Sequence, residues 1–246
     1  MSLLSLVSKL YSKSNLKIPP NCTAVIAAAG TSARCNGEDK LMYDIDGKPV
    51  LAYTIEVFEK SKLVEDIIIV TMEEKLEPIG RMCEDYGYNK VSLVLCGGIT
   101  RLESVLNGIY AVSKKTRLIA IHDGARPCLD LELLEKTIRK AAVYNAAAPG
   151  IPITSTVKKV EDDIIKETVD REELVEIQTP QVFRAEIIKA ALTNAQKKGV
   201  EITDDCMAVE LIGMPVCIVE GCRKNIKITT PEDLRLVGLF LNLVGH

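Results

Sequence analysis

The chain contains no tryptophan, only 4% aromatic residues and just two histidines, at 122 and 246. So few aromatic rings leave little material for the stacking platforms on which single-stranded nucleic acid is held. Positive charge is not in excess either: the formal charge is −3 and the isoelectric point about 5.6. Those values argue against non-specific nucleic-acid binding, which needs a basic face. Eight cysteines stand at 22, 35, 83, 96, 128, 206, 217 and 222, none in a Cys-x-x-Cys pair. With so little imidazole to add, a zinc centre is not expected. Dispersed thiols read instead as reduced, core-filling residues of a cytoplasmic protein. No apolar run is long enough to span a bilayer. Met1–Leu10 lacks the charged start and the long apolar centre of a signal peptide. Leu3, Leu4, Leu6, Val7 and Leu10 have helical spacing ahead of Pro19-Pro20. Residues 1–20 are therefore expected to be a docking helix or a partly disordered tail, and both readings stay open.

What the chain does have is a series of apolar runs that end in glycine-containing loops. Thr23–Ala29 reads as a buried parallel strand closing on Ala28-Ala29-Gly30, with Arg34 and Lys40 soon after. Small residues and a glycine let the backbone turn sharply and approach a ligand closely. Unpaired backbone N–H groups beside two cations make a phosphate cradle, read here as holding a nucleoside triphosphate. Two familiar loops are absent: there is no second glycine of a dinucleotide fingerprint and no Gly-Lys-Ser/Thr of a P-loop.

Further strands are expected at Ile67–Val70, Val91–Leu95 and Leu118–Ile121. They alternate with helices at Leu51–Lys60, Glu74–Tyr86, Arg101–Val112 and Leu131–Tyr144. This alternation predicts an α/β fold with a doubly wound, mostly parallel sheet. Ligands in such sheets bind at the carboxyl ends of the strands, where the Gly30, Gly98 and Asp123 loops all fall. From about 150 to 177 the pattern becomes β-branched and polar, with Glu161-Asp162-Asp163 as a hairpin tip. A hairpin with so little core should protrude as an arm and pack against a second copy of the chain. The rest, from residue 21 to 246, reads as one domain. Its later part has a helix from Arg184 to Lys198, a helix capped by Thr203-Asp204-Asp205, strands at Val216–Val219 and Asn225–Ile228, and a last helix opened by Pro231.

Ala27-Ala28-Ala29-Gly30, Lys40, Gly97-Gly98…Arg101…Ser104-Val105, His122–Pro127, Gln178–Gln181 and Asn225–Thr229 occur in this order. In that arrangement the chain resembles the 2-C-methyl-D-erythritol 4-phosphate cytidylyltransferases of the non-mevalonate isoprenoid pathway. The resemblance implies a Rossmann-like nucleotidyltransferase domain whose β-arms interlock in a homodimer. It also implies transfer of CMP from CTP to the sugar-alcohol phosphate, with release of pyrophosphate and with Mg²⁺. Carried over residue by residue, Ala28, Ala29 and Gly30 would contact the nucleotide, and Arg34, Lys40 and Lys227 would be catalytic cations. Gly98 and Ser104 would recognise cytosine, Gly124 would approach the ribose, and Asp123 would help hold Mg²⁺ or the sugar alcohol. Arg126 would lie near the substrate. Thr156, Thr168 and Arg171 on the arm would hold the sugar phosphate, in the partner subunit's site. Ser155, Leu41 and Ile99 depart from the family's common pattern.

The residues themselves suit such chemistry. A phosphate monoester is largely dianionic near neutral pH, its second pKa being about 6. It can attack the α-phosphorus of a nucleotide unaided, so fixed positive charge matters more than a general base. The scarcity of histidine agrees with this, and His122 is read either as structural or as a support behind a residue that meets the substrate. Asp204-Asp205 is read as a helix cap rather than a metal site, and Asp162-Asp163 as a turn. Two rival readings are a ribitol 5-phosphate cytidylyltransferase and a catalytically silent nucleotide-binding module.

Overall fold

The computed structural model describes residues 21–30 and 39–244. The expected N-terminal segment 1–20 and Arg34 lie outside the described residues. The strands are β1 Cys22–Ala27, β2 Asp44–Ile45, β3 Lys48–Pro49, β4 Val64–Thr71, β5 Val91–Cys96, β6 Leu118–Asp123, β7 Ala146–Pro152, β8 Val157–Glu161, β9 Ile164–Val169, β10 Val175–Ile177, β11 Gln181–Arg184 and β12 Cys217–Glu220. The helices are α1 Val50–Lys60, α2 Leu76–Asp85, α3 Arg101–Ala111, α4 Leu131–Tyr144, α5 Ala185–Lys198, α6 Asp205–Glu210 and α7 Pro231–Val244.

Strand alternation decides which face each side chain serves. Cys22, Ala24 and Ile26 of β1 join Ile67, Ile69 and Ala120 in one core, packed by α1, α2, α4 and α7. Val25, Ile68, Val70, Ile119 and Ile121 point the other way, into a second core packed by α3, α5 and α6. The result is a three-layer α/β/α molecule with a central sheet in the order β10-β7-β11-β6-β1-β4-β5. Pairs β1–β4, β1–β6, β4–β5 and β7–β12 are parallel. Within this sheet, among the described residues, only the pairs that involve β10 and β11 are antiparallel. Ala147 pairs with both Val182 and Cys217, so β12 lies on the opposite flank of β7 from β11. Helix α3 lies very close to β1, because a Cβ on Gly108 would stand 2.5 Å from Val25 Cγ1.

The register brings the functional loops to one edge. Ala27 pairs with Val70 and with Asp123, and Thr71 pairs with Cys96. β11 runs against β6, and β7 runs against β11, so β7 also ends at this edge. The arm therefore leaves from the same rim as the glycine loops. β12, parallel to β7, delivers the 221–229 loop there as well.

Several expectations need correction. Asn225–Ile228 is not a strand: the segment is irregular, and Ile228 N–H donates to Ala125 O at 2.9 Å. The helix expected over 74–86 is a 3₁₀ turn, Glu73–Lys75, followed by α2. Pro78 is tolerated because it falls in the first turn of α2, where N–H groups lack intrahelical partners anyway. The outer parts of the 150–177 stretch belong to β7 and β10 of the main sheet, so the separate hairpin is only β8–β9. Its tip is as expected, with Asp162 and Asp163 both at positive φ, 49° and 60°, the geometry of a tight hairpin turn. Val160, Ile164 and Ile165 on this arm are 59%, 61% and 62% exposed.

Candidate active site

A cleft of about 410 Å³ opens at the carboxyl edge of the sheet. One wall is the end of β1, Ala27 to Gly30. Another is the turn that leads from β5 into α3. Asp123 at the end of β6 forms the floor, with Lys40 and Lys227 on the remaining side.

The turn into α3 is built by local hydrogen bonding. Thr100 caps the helix, its side chain accepting from Glu103 N–H, and such a cap contributes about 1 kcal/mol. Glu103 Oε2 accepts from Ile99 N–H at 2.7 Å and from Thr100 N–H at 3.2 Å. Ser104 Oγ accepts from Gly98 N–H at 3.1 Å. A Cβ on Gly98 would stand 2.3 Å from Glu103 Cβ, so only glycine fits. Gly98→Ala is expected to cost about 1–3 kcal/mol through overpacking of this cap, read as a fall in melting temperature. An unchanged melting curve would show that the turn repacks freely.

Asp123 is 7% exposed and ringed by cations. Its Oδ2 accepts from Lys227 Nζ at 3.0 Å and from Arg126 Nε at 3.3 Å, while Oδ1 faces Arg101 Nη2 at 4.0 Å. Burial works to raise the carboxyl's pKa, but Lys227, Arg101 and Arg126 overcome it and hold the group far below the usual carboxylate range. Lys40 Nζ donates to Ile228 O at 2.9 Å, which anchors the segment that carries Lys227.

Behind the cleft a polar chain fixes these loops. His122 is fully buried, and burial first of all pushes its pKa down to about 3. The imidazole is therefore neutral. Arg126 O can only accept, so Nε2–H is the donor at 3.3 Å and Nδ1 is left to accept. The Thr179 hydroxyl donates to Nδ1 at 2.9 Å and in turn accepts from Asp123 N–H at 3.1 Å. Asn225 Nδ2 donates to Thr179 O at 2.8 Å, and Arg126 Nη1 donates to Asn225 O at 2.7 Å. His122 is thus a structural residue, as expected. Asp204 is the cap of α6, accepting from Met207 N–H at 2.9 Å.

Of the nominated residues, Ala28, Ala29, Gly30, Lys40, Gly98, Ser104, Asp123 and Lys227 all line the cleft. Arg126 touches it through Asp123. Gly124 does not line it; its N–H donates to Ala27 O and its carbonyl accepts from Thr54 Oγ1, both at 2.9 Å. Thr156, Thr168 and Arg171 lie on the arm and do not line this cleft. Thr168 Oγ1 accepts from Lys158 Nζ, and Arg171 Nη1 donates to Thr154 O. Sequence reasoning gave no role to Arg101 or Thr179 and read Asp205 only as part of a helix cap. Asp205 left a signal: it precedes Cys206, Ala208 and Val209 on a buried helix face, where a carboxylate must find a cation. Among the described residues no group of three His, Cys, Asp or Glu side chains could cage a metal. Among the described residues, Asp123 is the one carboxylate that lines the cleft.

A doubly wound α/β sheet with a cation-lined cleft at its carboxyl edge is the architecture of a nucleotidyltransferase. A family model described as IspD, 2-C-methyl-D-erythritol 4-phosphate cytidylyltransferase, matches residues 22–242. The chain belongs to this family. A protein of that name from Caldanaerobacter subterraneus subsp. tengcongensis is 45% identical over 224 residues, 90% of this chain and 99% of the relative. Another, from Dehalococcoides mccartyi, is 40% identical over 89% of this chain and 95% of its own. The crystal structure of 4-diphosphocytidyl-2C-methyl-D-erythritol synthase from Anaerococcus prevotii superposes with a TM-score of 0.81 at 29% identity, covering 91% of this chain and 97% of that one.

Proposed function

We propose that this chain transfers CMP from CTP to 2-C-methyl-D-erythritol 4-phosphate, giving 4-diphosphocytidyl-2-C-methyl-D-erythritol and pyrophosphate. The observation that carries the reading is the gathering of Lys40 and the Asp123–Lys227 pair in one cleft walled by glycine turns. A dianionic phosphate oxygen attacks the α-phosphorus of CTP. The new O–P bond forms as the bond from that phosphorus to the β-bridging oxygen breaks, and pyrophosphate leaves with the electron pair. No protein nucleophile is needed, and His122, neutral and buried, takes no part.

In this reading Lys40 and Lys227 stabilise charge on the equatorial oxygens. The Ala28–Gly30 loop holds the triphosphate, and Arg34 is assigned to its phosphates. Gly98 and Ser104 meet the base, Gly124 lies behind the ribose, and Arg126 steadies Asp123. Mg²⁺ commonly binds through one or two carboxylates together with substrate phosphates. Asp123 supplies one such carboxylate, and the bound ion would neutralise phosphate charge. Free thiols at all seven described cysteines support a reducing, cytoplasmic setting.

The first test is pyrophosphate release with CTP and Mg²⁺, comparing methylerythritol 4-phosphate with ribitol 5-phosphate. Turnover with the former alone is expected. Turnover with ribitol phosphate alone would reassign the substrate, and none with either would leave a silent binding module.

The homodimer belongs to the same proposal. The arm's exposed Val160, Ile164 and Ile165 call for cover, and Thr156, Thr168 and Arg171 do not line their own chain's cleft. Arg171 therefore serves the partner's site. Mixing inactive Arg171→Ala and Lys227→Ala chains is expected to restore activity, because a mixed dimer has one site with both residues intact. No gain on mixing, with exchange of subunits verified, would place Arg171 in its own chain's site.

A further inference from the structure

Arg101 is the first residue of α3, directly after the cap that builds the Gly98 turn. Its guanidinium forms a two-point fork with Asp205: Nη1 to Oδ1 at 3.0 Å and Nη2 to Oδ2 at 2.7 Å. Asp205 is 0% exposed and belongs to a different helix, α6. Three further bonds lock this part of α6 in place. Gln181 Oε1 accepts from the N–H groups of Asp205 and Cys206, both at 3.0 Å. Gln181 Nε2 donates to Asp204 Oδ2 at 2.8 Å. Gln181 itself is fixed in the sheet, opposite Ile121 of β6. The fork thus runs from the sheet beside Asp123, through α6, to the start of α3. The same Nη2 that bonds Asp205 stands 4.0 Å from Asp123 Oδ1, and the arginine lines the cleft.

We propose that Arg101 is a positioning residue. Clamped by buried Asp205, it sets the separation between the Gly97–Gly98 turn and Asp123, and so the width of the nucleotide's slot. This deepens the proposed function and rests on it: the slot is the one assigned to the base and ribose of CTP. Bidentate arginine–carboxylate pairing suits the task, because two parallel bonds fix direction as well as distance. A lysine at this position would keep the charge and lose the fork.

The test separates positioning from simple structural support. A buried ion pair that only stabilises can be replaced by an apolar pair without loss of fold. The double variant Arg101→Met with Asp205→Leu is therefore expected to melt near the wild-type temperature. Its KM for CTP is nevertheless expected to rise about tenfold, the scale of one lost charge-assisted hydrogen bond, while the KM for the sugar-alcohol phosphate changes little. If the double variant melts early, Arg101→Lys decides: an intermediate rise in the KM for CTP supports the proposal. A wild-type KM for CTP in either folded variant overturns it.

A second readout does not depend on activity. Hydrogen exchange at the Gly98 and Ile99 amides, held now by Ser104 and Glu103, is expected to quicken at least about tenfold in Arg101→Lys as the turn loses its anchor. Wild-type protein that turns over neither sugar-alcohol phosphate would defeat the functional reading, and exchange alone would then judge Arg101, with unchanged rates counting against it.

Discussion

Lys227→Ala is expected to lower kcat by about 10² or more, the usual scale for removing one preorganised transition-state donor. Lys227 lies on an irregular segment with its ammonium 3.0 Å from Asp123 Oδ2. The fold should survive the change. The lysine side chain is 39% exposed, and Asp123 keeps Arg126 at 3.3 Å and Arg101 at 4.0 Å as counter-charges. The loss should therefore fall on turnover rather than on melting temperature. Steady-state kinetics with thermal unfolding on the same preparation would check it, and near-normal turnover would remove Lys227 from the mechanism.

Lys40→Ala is expected to have an effect of the same order, about 10² or more on kcat, with an additional cause. Lys40 contributes charge to the cleft and also bonds the carbonyl of Ile228, the residue after Lys227. Its removal withdraws one cation and loosens the backbone that presents the other. The two lysines are thus coupled, and the double variant should lose less than the product of the single losses. Independent, multiplying losses would show that the Lys40–Ile228 bond has no bearing on where Lys227 sits.

Much of this site was legible in the sequence because glycine turns after β-branched runs are local signals. The ends of β1, β5 and β6 fell within two residues of where the apolar runs stopped, and parallel pairing then brought them to one edge. What was not legible depended on tertiary partners. β7 escaped because Ala146-Ala147-Ala148-Pro149-Gly150 has neither a strand period nor β-branched residues. Its proline is tolerated where pairing passes from Val182 opposite Ala147 to Ile177 opposite Gly150. Asn225–Ile228 reads as a strand by composition. Instead its hydrogen-bonding groups are claimed by Arg126, Gln178, Thr179 and Ala125, none of them a ladder partner. Arg101 was visible as a motif residue, but its role needed Asp205, which lies 104 positions away.

The ring of charge around Asp123 gives the cleft the character of an ion exchanger loaded with its own counter-ion. Lys227 does not wait in bulk solvent for a phosphate; a carboxylate from β6 already occupies it. Under the proposed function, an arriving phosphate competes with that carboxylate for Lys227, so the strength of exchange contributes to selection beside simple attraction. A doubly charged phosphate exchanges well. A singly charged one, the prevailing form below about pH 6, exchanges poorly. Under the proposed function, sulfate and inorganic phosphate should compete for this position in proportion to their charge, because one carboxylate only partly offsets the cations that surround it.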